Sequence, residues 1–346
     1  MRKIVIFLCL LLLMLLPVHA MDYTAPNPPQ DALELMPATS SNFASDLIKV
    51  LANAMKTLQP WFAECLKVCL GIFTTVIIVS VSKAVTASGN HLAEFAGILS
   101  ISTLLLQNTR SMILLATDTV GQLSQYGKLL LPVMAMAMAS QGQVTTSASL
   151  YAGTALFNAL LSDGIAKLLV PMAYIYLILG IAASATEQAM LKNTQNSVQH
   201  LLTWCLKTVL LIFTGYMTIT GAVSGSADAV AMKATRLTIS GMIPVVGSIL
   251  ADASEAVIVG AGVMQNAVGV YGMVAILAIF ASPFLKMGVL YLLLKITSAL
   301  CSIFEGKQVN EVLKTFTSAM GLMLAMVGSV CVMLLISGVC FLKGVT

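Results

Sequence analysis

The stretch ISGMIPVVGSILADASEAVIVGAGVMQNAVGVYGM, residues 239–273, is apolar enough for a membrane but is interrupted in the middle. Gly241, Pro244 and Gly247 fall close together, where an unbroken spanning helix normally carries Leu or Ile. Proline lacks an N–H and clashes with the preceding turn, so a helix starts, stops or kinks near Pro244. Because lipid cannot hydrogen-bond the freed backbone groups, the pattern predicts a broken or re-entrant helix that is buried in protein or lines a wet cavity.

Two carboxylates follow this interruption. Asp252 and Glu255 are three residues apart and therefore share one face of a helix. Charged groups inside an apolar run are costly, and by default they indicate a functional site. The interrupted residues and the two acids form a candidate transport site, with Lys233 and Arg236 as candidate counter-charges. The alternative is a surface loop between two ordinary spans, with both acids in water.

The composition is that of a membrane protein. Hydrophobic residues make up 58% of the 346 residues and charged residues 9%, whereas a soluble domain has about 25% charged residues. We predict an all-α polytopic helix bundle with about seven spans and one or two broken or re-entrant segments. The formal net charge of +4 forms no basic patch, so nucleic-acid binding has no electrostatic support.

The chain divides into three predicted regions. Residues 1–20 show a charged start, an apolar core and a small-residue cleavage site, which together predict a signal peptide. An uncleaved first anchor is the alternative. Residues 21–60 are predicted to form an extracytoplasmic polar segment, proline-rich at first and ending in an amphipathic helix. Residues 61–346 are predicted to form the multi-span membrane domain.

Within the membrane domain, apolar runs alternate with polar stretches, two of which lie at 186–200 and 305–314. The predicted spans are 61–82, 92–116, 124–139, 165–185, 201–223, 268–303 and 316–342. The run at 268–303 is long for one straight span, and Pro283 and Lys286 are expected to kink or divide it.

One further apolar piece, residues 150–161, is too short to cross a bilayer and ends at a Ser-Asp-Gly step. It predicts a half helix or re-entrant segment. Asp163 and Lys167 of this region have the spacing of an i,i+4 ion pair. The order half helix, span, polar stretch and span then recurs at 241–342, which suggests two related halves.

No residue set for catalysis or metal binding stands out. His91 and His200 lie in separate polar links without a second ligand at metal spacing. The stretch GQLSQYGK at 121–128 resembles a phosphate loop, but its glycine spacing is one residue too long, and Leu129 stands where Ser or Thr should hold magnesium. We therefore expect no enzyme activity, no cofactor and no metal.

The run SGMIPVVGSILADASEAV at 240–257, followed by Gln265, Asn266 and Gly269, resembles the signature region of the stage III sporulation protein AE family. The layout of most of the chain is also similar: a leader, a polar segment and many apolar helices. The resemblance implies a permease-like membrane core of the stage III sporulation secretion or feeding-channel complex. That complex lies in the mother-cell membrane around the forespore and is required for late forespore development.

The resemblance also implies partners. These are the other membrane proteins of the stage III sporulation operon, their cytoplasmic ATPase, and the forespore's stage II sporulation protein Q across the intermembrane space. The missing nucleotide motif agrees with a separate ATPase. Two other classes compete with this interpretation: a stand-alone ion-coupled transporter, and a membrane scaffold that only holds other subunits.

Overall fold

The computed structural model describes residues 25–37, 43–85, 91–242, 247–303 and 307–343. Of these, residues 83–85, 91–94, 221–242, 247–266, 307 and 343 are described by their backbone alone. Helices account for nearly all of these residues, and no strand occurs in them. They are α1 Gln30–Leu33, α2 Phe43–Val85, α3 His91–Ser140, α4 Val144–Gly164, α5 Val170–Thr186, α6 Ala189–Met242, α7 Gly247–Cys301 and α8 Lys307–Lys343. A π-helical turn, Ile165–Leu169, joins α4 to α5.

Six helices of the described part are long and apolar enough to cross a membrane. They cover Phe43–Ser82, Phe95–Ser140, Val144–Thr186, Ala189–Thr220, Ala267–Cys301 and Gln308–Leu342. The predicted all-α polytopic bundle is therefore confirmed, and the chain is a multi-pass membrane protein.

The spans predicted at 92–116 and 124–139 lie in one continuous helix, α3, and the described residues hold six candidate spans. The polar residues between them do not break the helix because they bond to its own backbone. Thr117 donates to the carbonyl of Ile113 at 2.8 Å, and Thr119 donates to that of Leu115 at 2.7 Å.

The half helix predicted at 150–161 is wrong, because α4 begins at Val144 and continues through the Ser-Asp-Gly step into the π-helical turn. The predicted Asp163–Lys167 pair is confirmed: Lys167 Nζ lies 2.7 Å from Asp163 Oδ2 and supports the helix across this step. The π-helical turn lies just before Pro171, whose ring cannot donate the next helical hydrogen bond.

Several helices are much longer than a bilayer is thick. The 50 residues of α3 and the 55 residues of α7 correspond to about 75 and 80 Å, against about 30 Å of hydrocarbon. Parts of these helices therefore extend beyond the hydrocarbon core. Helix α2 is also continuous, with Pro60 inside it, and covers both the predicted amphipathic helix and the first span.

Helix α8 lies at the centre of the bundle, where it contacts α3, α4, α5, α6 and α7. Its inward positions are fully buried: Val312, Leu313, Phe316, Ala319, Met320, Met323, Met326, Val327 and Val330. Helix α2 packs on the outside against α3 and α7, and the short α1 packs on α7. Burial of this apolar core, at about 25 cal/mol per Å² of apolar surface, stabilises the packing of the extramembrane parts.

Candidate functional site

The site predicted from the interrupted stretch falls outside the described side chains. Helix α6 ends at Met242 and α7 begins at Gly247, and residues 243–246 between them are not among the described residues. The side chains of all the predicted site residues lie outside the described set: Lys233, Arg236, Gly241, Pro244, Gly247, Asp252 and Glu255. The broken-helix transport site therefore stays a prediction.

A cavity of about 450 Å³ lies where α1, α2, α3 and α7 meet, beside Pro283. We call it the Pro283 cavity. Much of its lining is polar, in a chain of which only 9% is charged. The polar lining consists of Asp31, Glu34, Asn53, Lys56, Thr57, Asp118, Thr119, Gln122, Ser282 and Lys286.

The backbone of α7 explains why a polar space lies here. Pro283 is inside the helix, and its ring removes the N–H that would bond the carbonyl of Ile279. Ile279 and Ser282 line the same cavity. Lipid cannot satisfy a freed carbonyl, whereas water or a ligand in a polar cavity can. Pro283 does not divide α7, which continues to Cys301; a kink at this position stays a prediction.

The charges of the cavity are not paired with each other. Its lining holds three carboxylates, Asp31, Glu34 and Asp118, and two lysines, Lys56 and Lys286, a net charge of −1 (2 minus 3). Among the described residues, no ion pair within 4.0 Å joins any of these five. Charged groups that are not paired with protein retain water. Asp31, Glu34, Lys56 and Asp118 are also exposed, so the cavity opens to the surface of the described bundle. An open pocket with such charged walls suits a cation or a polar segment with donors and acceptors.

One wall of the cavity comes from the N-terminal segment. Asn53 Nδ2 of α2 donates to the carbonyl oxygen of Leu35 at 3.3 Å, and Ala32 and Leu35 are buried against the bundle. These contacts hold the turn of α1 in place, so Asp31 and Glu34 face the same cavity. A segment outside the predicted membrane domain thus contributes acidic groups to a site formed by the membrane helices.

Sequence reasoning missed Lys56, Asp118 and Gln122 as site residues. Gln122 Nε2 donates to Asp118 Oδ2 at 2.9 Å, one helical turn away. A signal was present, because Asp118 and Gln122 are one turn apart and place two polar groups on one face of α3. Pro283 and Lys286 were singled out only for their effect on helix shape.

A second polar cluster lies deep in the bundle, between α3, α4 and α8. Thr154 Oγ1 donates to Ser337 Oγ at 3.0 Å, and both residues are fully buried. Asn158, one turn further along α4, donates to the carbonyl of Ser124 at 3.2 Å. Such interhelical hydrogen bonds tie membrane helices together and fix their register. We interpret this cluster as structural.

The structure also joins the two polar stretches at 186–200 and 305–314. Lys192 pairs with Glu311, and Gln308 donates to Glu187. Next to these contacts, Gln195 Nε2 donates to Thr315 Oγ1 at 3.0 Å, and both side chains are buried. We call this set of contacts the polar junction. It connects the start of α6 with the start of α8.

Within the described residues, no group of three or more His, Cys, Asp or Glu side chains is placed to hold a metal ion. The six cysteines from Cys65 onward are free thiols, buried or half-buried.

Comparison with known proteins gives one consistent family. The family model described as stage III sporulation protein AE matches residues 36–342. Stage III sporulation protein AE of Bacillus subtilis (strain 168) is 23% identical over 222 residues, which cover 64% of this chain and 56% of that relative. The aligned region thus spans little more than half of the relative's length. No solved structure matches the chain. Because the family model covers most of the chain, from the turn after α1 nearly to the end of α8, the chain belongs to the stage III sporulation protein AE family.

Proposed function

We propose that this multi-pass membrane protein is the permease-like core of the stage III sporulation secretion or feeding-channel complex. In this role it lies in the mother-cell membrane around the forespore and is required for late forespore development. It acts without catalytic turnover and without a cofactor of its own.

Family membership supports the link to sporulation. The observation that carries the permease-like role is the Pro283 cavity, a pocket of about 450 Å³ with charged walls where four helices meet. Passage of a polar solute or chain segment across a membrane requires such a space, because each unsatisfied polar group costs several kcal/mol in lipid. The cavity lies against Pro283 of α7, a helix long and apolar enough to span a membrane, and charged groups beside such helices often mark a transport path.

The proposal includes partners. The described helices extend well beyond the hydrocarbon, and their ends provide surfaces for other proteins. We propose that these partners are the other stage III sporulation operon membrane proteins, their cytoplasmic ATPase, and stage II sporulation protein Q across the intermembrane space. The ATPase supplies the energy, because this chain shows no nucleotide-binding motif of its own.

The test removes charge from the cavity in sporulating cells. Asp118→Asn with Lys286→Gln neutralises two groups of the Pro283 cavity on different helices. The matched control, Asp163→Asn with Lys167→Gln, neutralises the same residue types in an exposed pair outside it. Late forespore gene expression, heat-resistant spore counts, protein abundance and co-purified partners are measured for both.

We expect the cavity variant to block late development at normal abundance with its partners still bound, and the control to sporulate normally. Normal sporulation of the cavity variant would contradict a permease-like role and favour the scaffold. Solute movement by the purified chain alone in liposomes would favour the stand-alone ion-coupled transporter. The observation that supports this second function is the set of carboxylates in the cavity lining.

A further inference from the structure

A cleft of about 720 Å³ lies between α6, α7 and α8, distinct from the Pro283 cavity. Its polar walls carry hydrogen-bond donors from all three helices, among them Gln199, Lys295, Ser298, Asn310, Lys314 and Ser318. No carboxylate lines it among the described residues. A lining of ammonium, hydroxyl and amide groups without acids favours a negatively charged ligand.

The two lysines of this cleft form no ion pair with a described carboxylate. An inner cavity of about 210 Å³ adjoins the cleft and is lined by Lys314 and by Glu311, and Glu311 is paired with Lys192. Within the described part of the chain, neither Lys295 nor Lys314 lies within 4.0 Å of a carboxylate. Lys295 Nζ instead lies 5.7 Å from the centre of the Tyr291 ring. The cleft therefore presents two positive charges on adjacent helices, neither of them in an ion pair with a described carboxylate.

The position of the cleft along α6 matches the edge of a membrane. The polar stretch at 186–200 gives way there to the apolar residues that begin at Leu201, and Trp204 is 62% exposed. Exposed tryptophan next to an apolar span is typical of the headgroup level of a bilayer. Thr203, the neighbour of Trp204, lines the cleft.

Helix α7 places an apolar, exposed surface beside the cleft. Lys295 and Ser298 line the cleft, while Leu292, Ile296 and Leu300 on the adjacent face of the same helix are 56%, 56% and 47% exposed. In a bilayer, such exposed aliphatic side chains contact acyl chains. The cleft thus opens beside a lipid-facing surface, where a headgroup can enter it while its acyl chains stay in the membrane.

We propose that this cleft binds a phosphate-bearing anion through Lys295 and Lys314. A phosphate group presents charged acceptor oxygens, which match two ammonium groups and the surrounding hydroxyl donors. The same chemistry is offered by the headgroup of an anionic phospholipid and by a free phosphate. The location at headgroup depth favours the lipid source. This inference does not rest on the proposed channel role.

The test uses the purified full-length chain in phosphatidylcholine nanodiscs. One arm titrates phosphatidylglycerol and counts bound lipid by native mass spectrometry, and the other adds inorganic phosphate and follows the thermal unfolding midpoint. The double variant Lys295→Gln with Lys314→Gln is expected to weaken binding about 30-fold. Each lysine near an anionic headgroup contributes about 1 kcal/mol, and about 1.4 kcal/mol corresponds to a tenfold change in Kd. Lys295→Arg with Lys314→Arg should retain binding, because the charges are kept.

The control is Lys207→Gln, which removes an exposed lysine of α6 that does not line the cleft. Binding of phosphatidylglycerol that depends on the two cleft lysines but not on Lys207 supports the proposal with a lipid source. A lysine-dependent shift with inorganic phosphate supports it with a soluble source. Equal binding by the double Gln variant and the wild type, or an equal loss in Lys207→Gln, would overturn it.

Discussion

The polar junction depends on a glycine, and this gives a prediction whose size follows from the structure. A Cβ at Gly180 of α5 would lie 2.3 Å from Thr315 Cγ2, 2.5 Å from Gln195 Nε2 and 2.7 Å from Thr315 Oγ1. Side-chain atoms do not approach a Cβ that closely. Thr315 is β-branched on a helix, so its side chain has little freedom to move. Gly180→Ala must therefore displace the hydrogen-bonded pair of Gln195 and Thr315.

The expected cost combines three effects. Overpacking costs about 1–3 kcal/mol, and loss of the hydrogen bond costs about 0.5–1.5 kcal/mol. The higher helix propensity of alanine offsets about 1 kcal/mol of this. We expect Gly180→Ala to lower the free energy of unfolding by about 2 kcal/mol in total.

The assay is unfolding in detergent, followed by far-ultraviolet circular dichroism. Gly215→Ala is the matched control, because nothing lies within 4 Å of a Cβ at Gly215 of α6. It should be neutral or slightly stabilising. Thr315→Ala removes two of the three close contacts, so the cost of Gly180→Ala should fall by about 1 kcal/mol in that background. Wild-type stability of Gly180→Ala, or a cost that is unchanged by Thr315→Ala, would refute the reasoning.

Three further predictions concern other parts of the chain. Replacing Asp252 by Asn and Glu255 by Gln should block late spore development at normal protein abundance; normal sporulation would show that both acids are solvated loop residues. Thr154→Val removes the hydrogen bond to Ser337 and should lower the unfolding free energy by about 0.6–1.7 kcal/mol, with Ser337→Ala adding little to this loss in the double variant. Cleavage after Ala20 should be found by N-terminal sequencing of the mature protein, and a mature chain that begins at Met1 would contradict it.

The helical class and most apolar runs were predictable because they depend on local composition. Runs of about 20 apolar residues specify spanning helices whatever their neighbours are. The i,i+4 pair of Asp163 and Lys167 was predictable for the same reason, since its partners are one turn apart.

Helix continuity was harder to predict. Pro60, Pro132 and Pro283 all lie inside helices, although proline usually interrupts a helix in water. In a membrane bundle, neighbouring helices, polar side chains and water can satisfy the freed carbonyls. Whether a proline breaks a helix thus depends on what packs against it, which the local pattern does not contain.

The sites depend on contacts between distant parts of the chain. Lys56, Asp118 and Lys286 meet at the Pro283 cavity from three different helices, and Gln195 meets Thr315 across 120 residues. Each residue alone is compatible with a solvated or interfacial position. Only the order of packing around α8 brings them together, and a single sequence does not specify that order.

The central claim is that water fills the Pro283 cavity. Its most direct test is the reactivity of Ser282→Cys, in the cavity wall, with a membrane-impermeant thiol reagent. Phe284→Cys is the matched control. Position 284 is about 3 Å further along the helix axis than position 282 and lies roughly on the opposite face. Phe284 is exposed there, and its ring packs on that of Phe280. We predict rapid labelling at position 282 and little at 284, since a thiol reacts as the thiolate and needs water. No labelling at 282, or equal labelling at both positions, would contradict a water-filled cavity and with it the permease-like role.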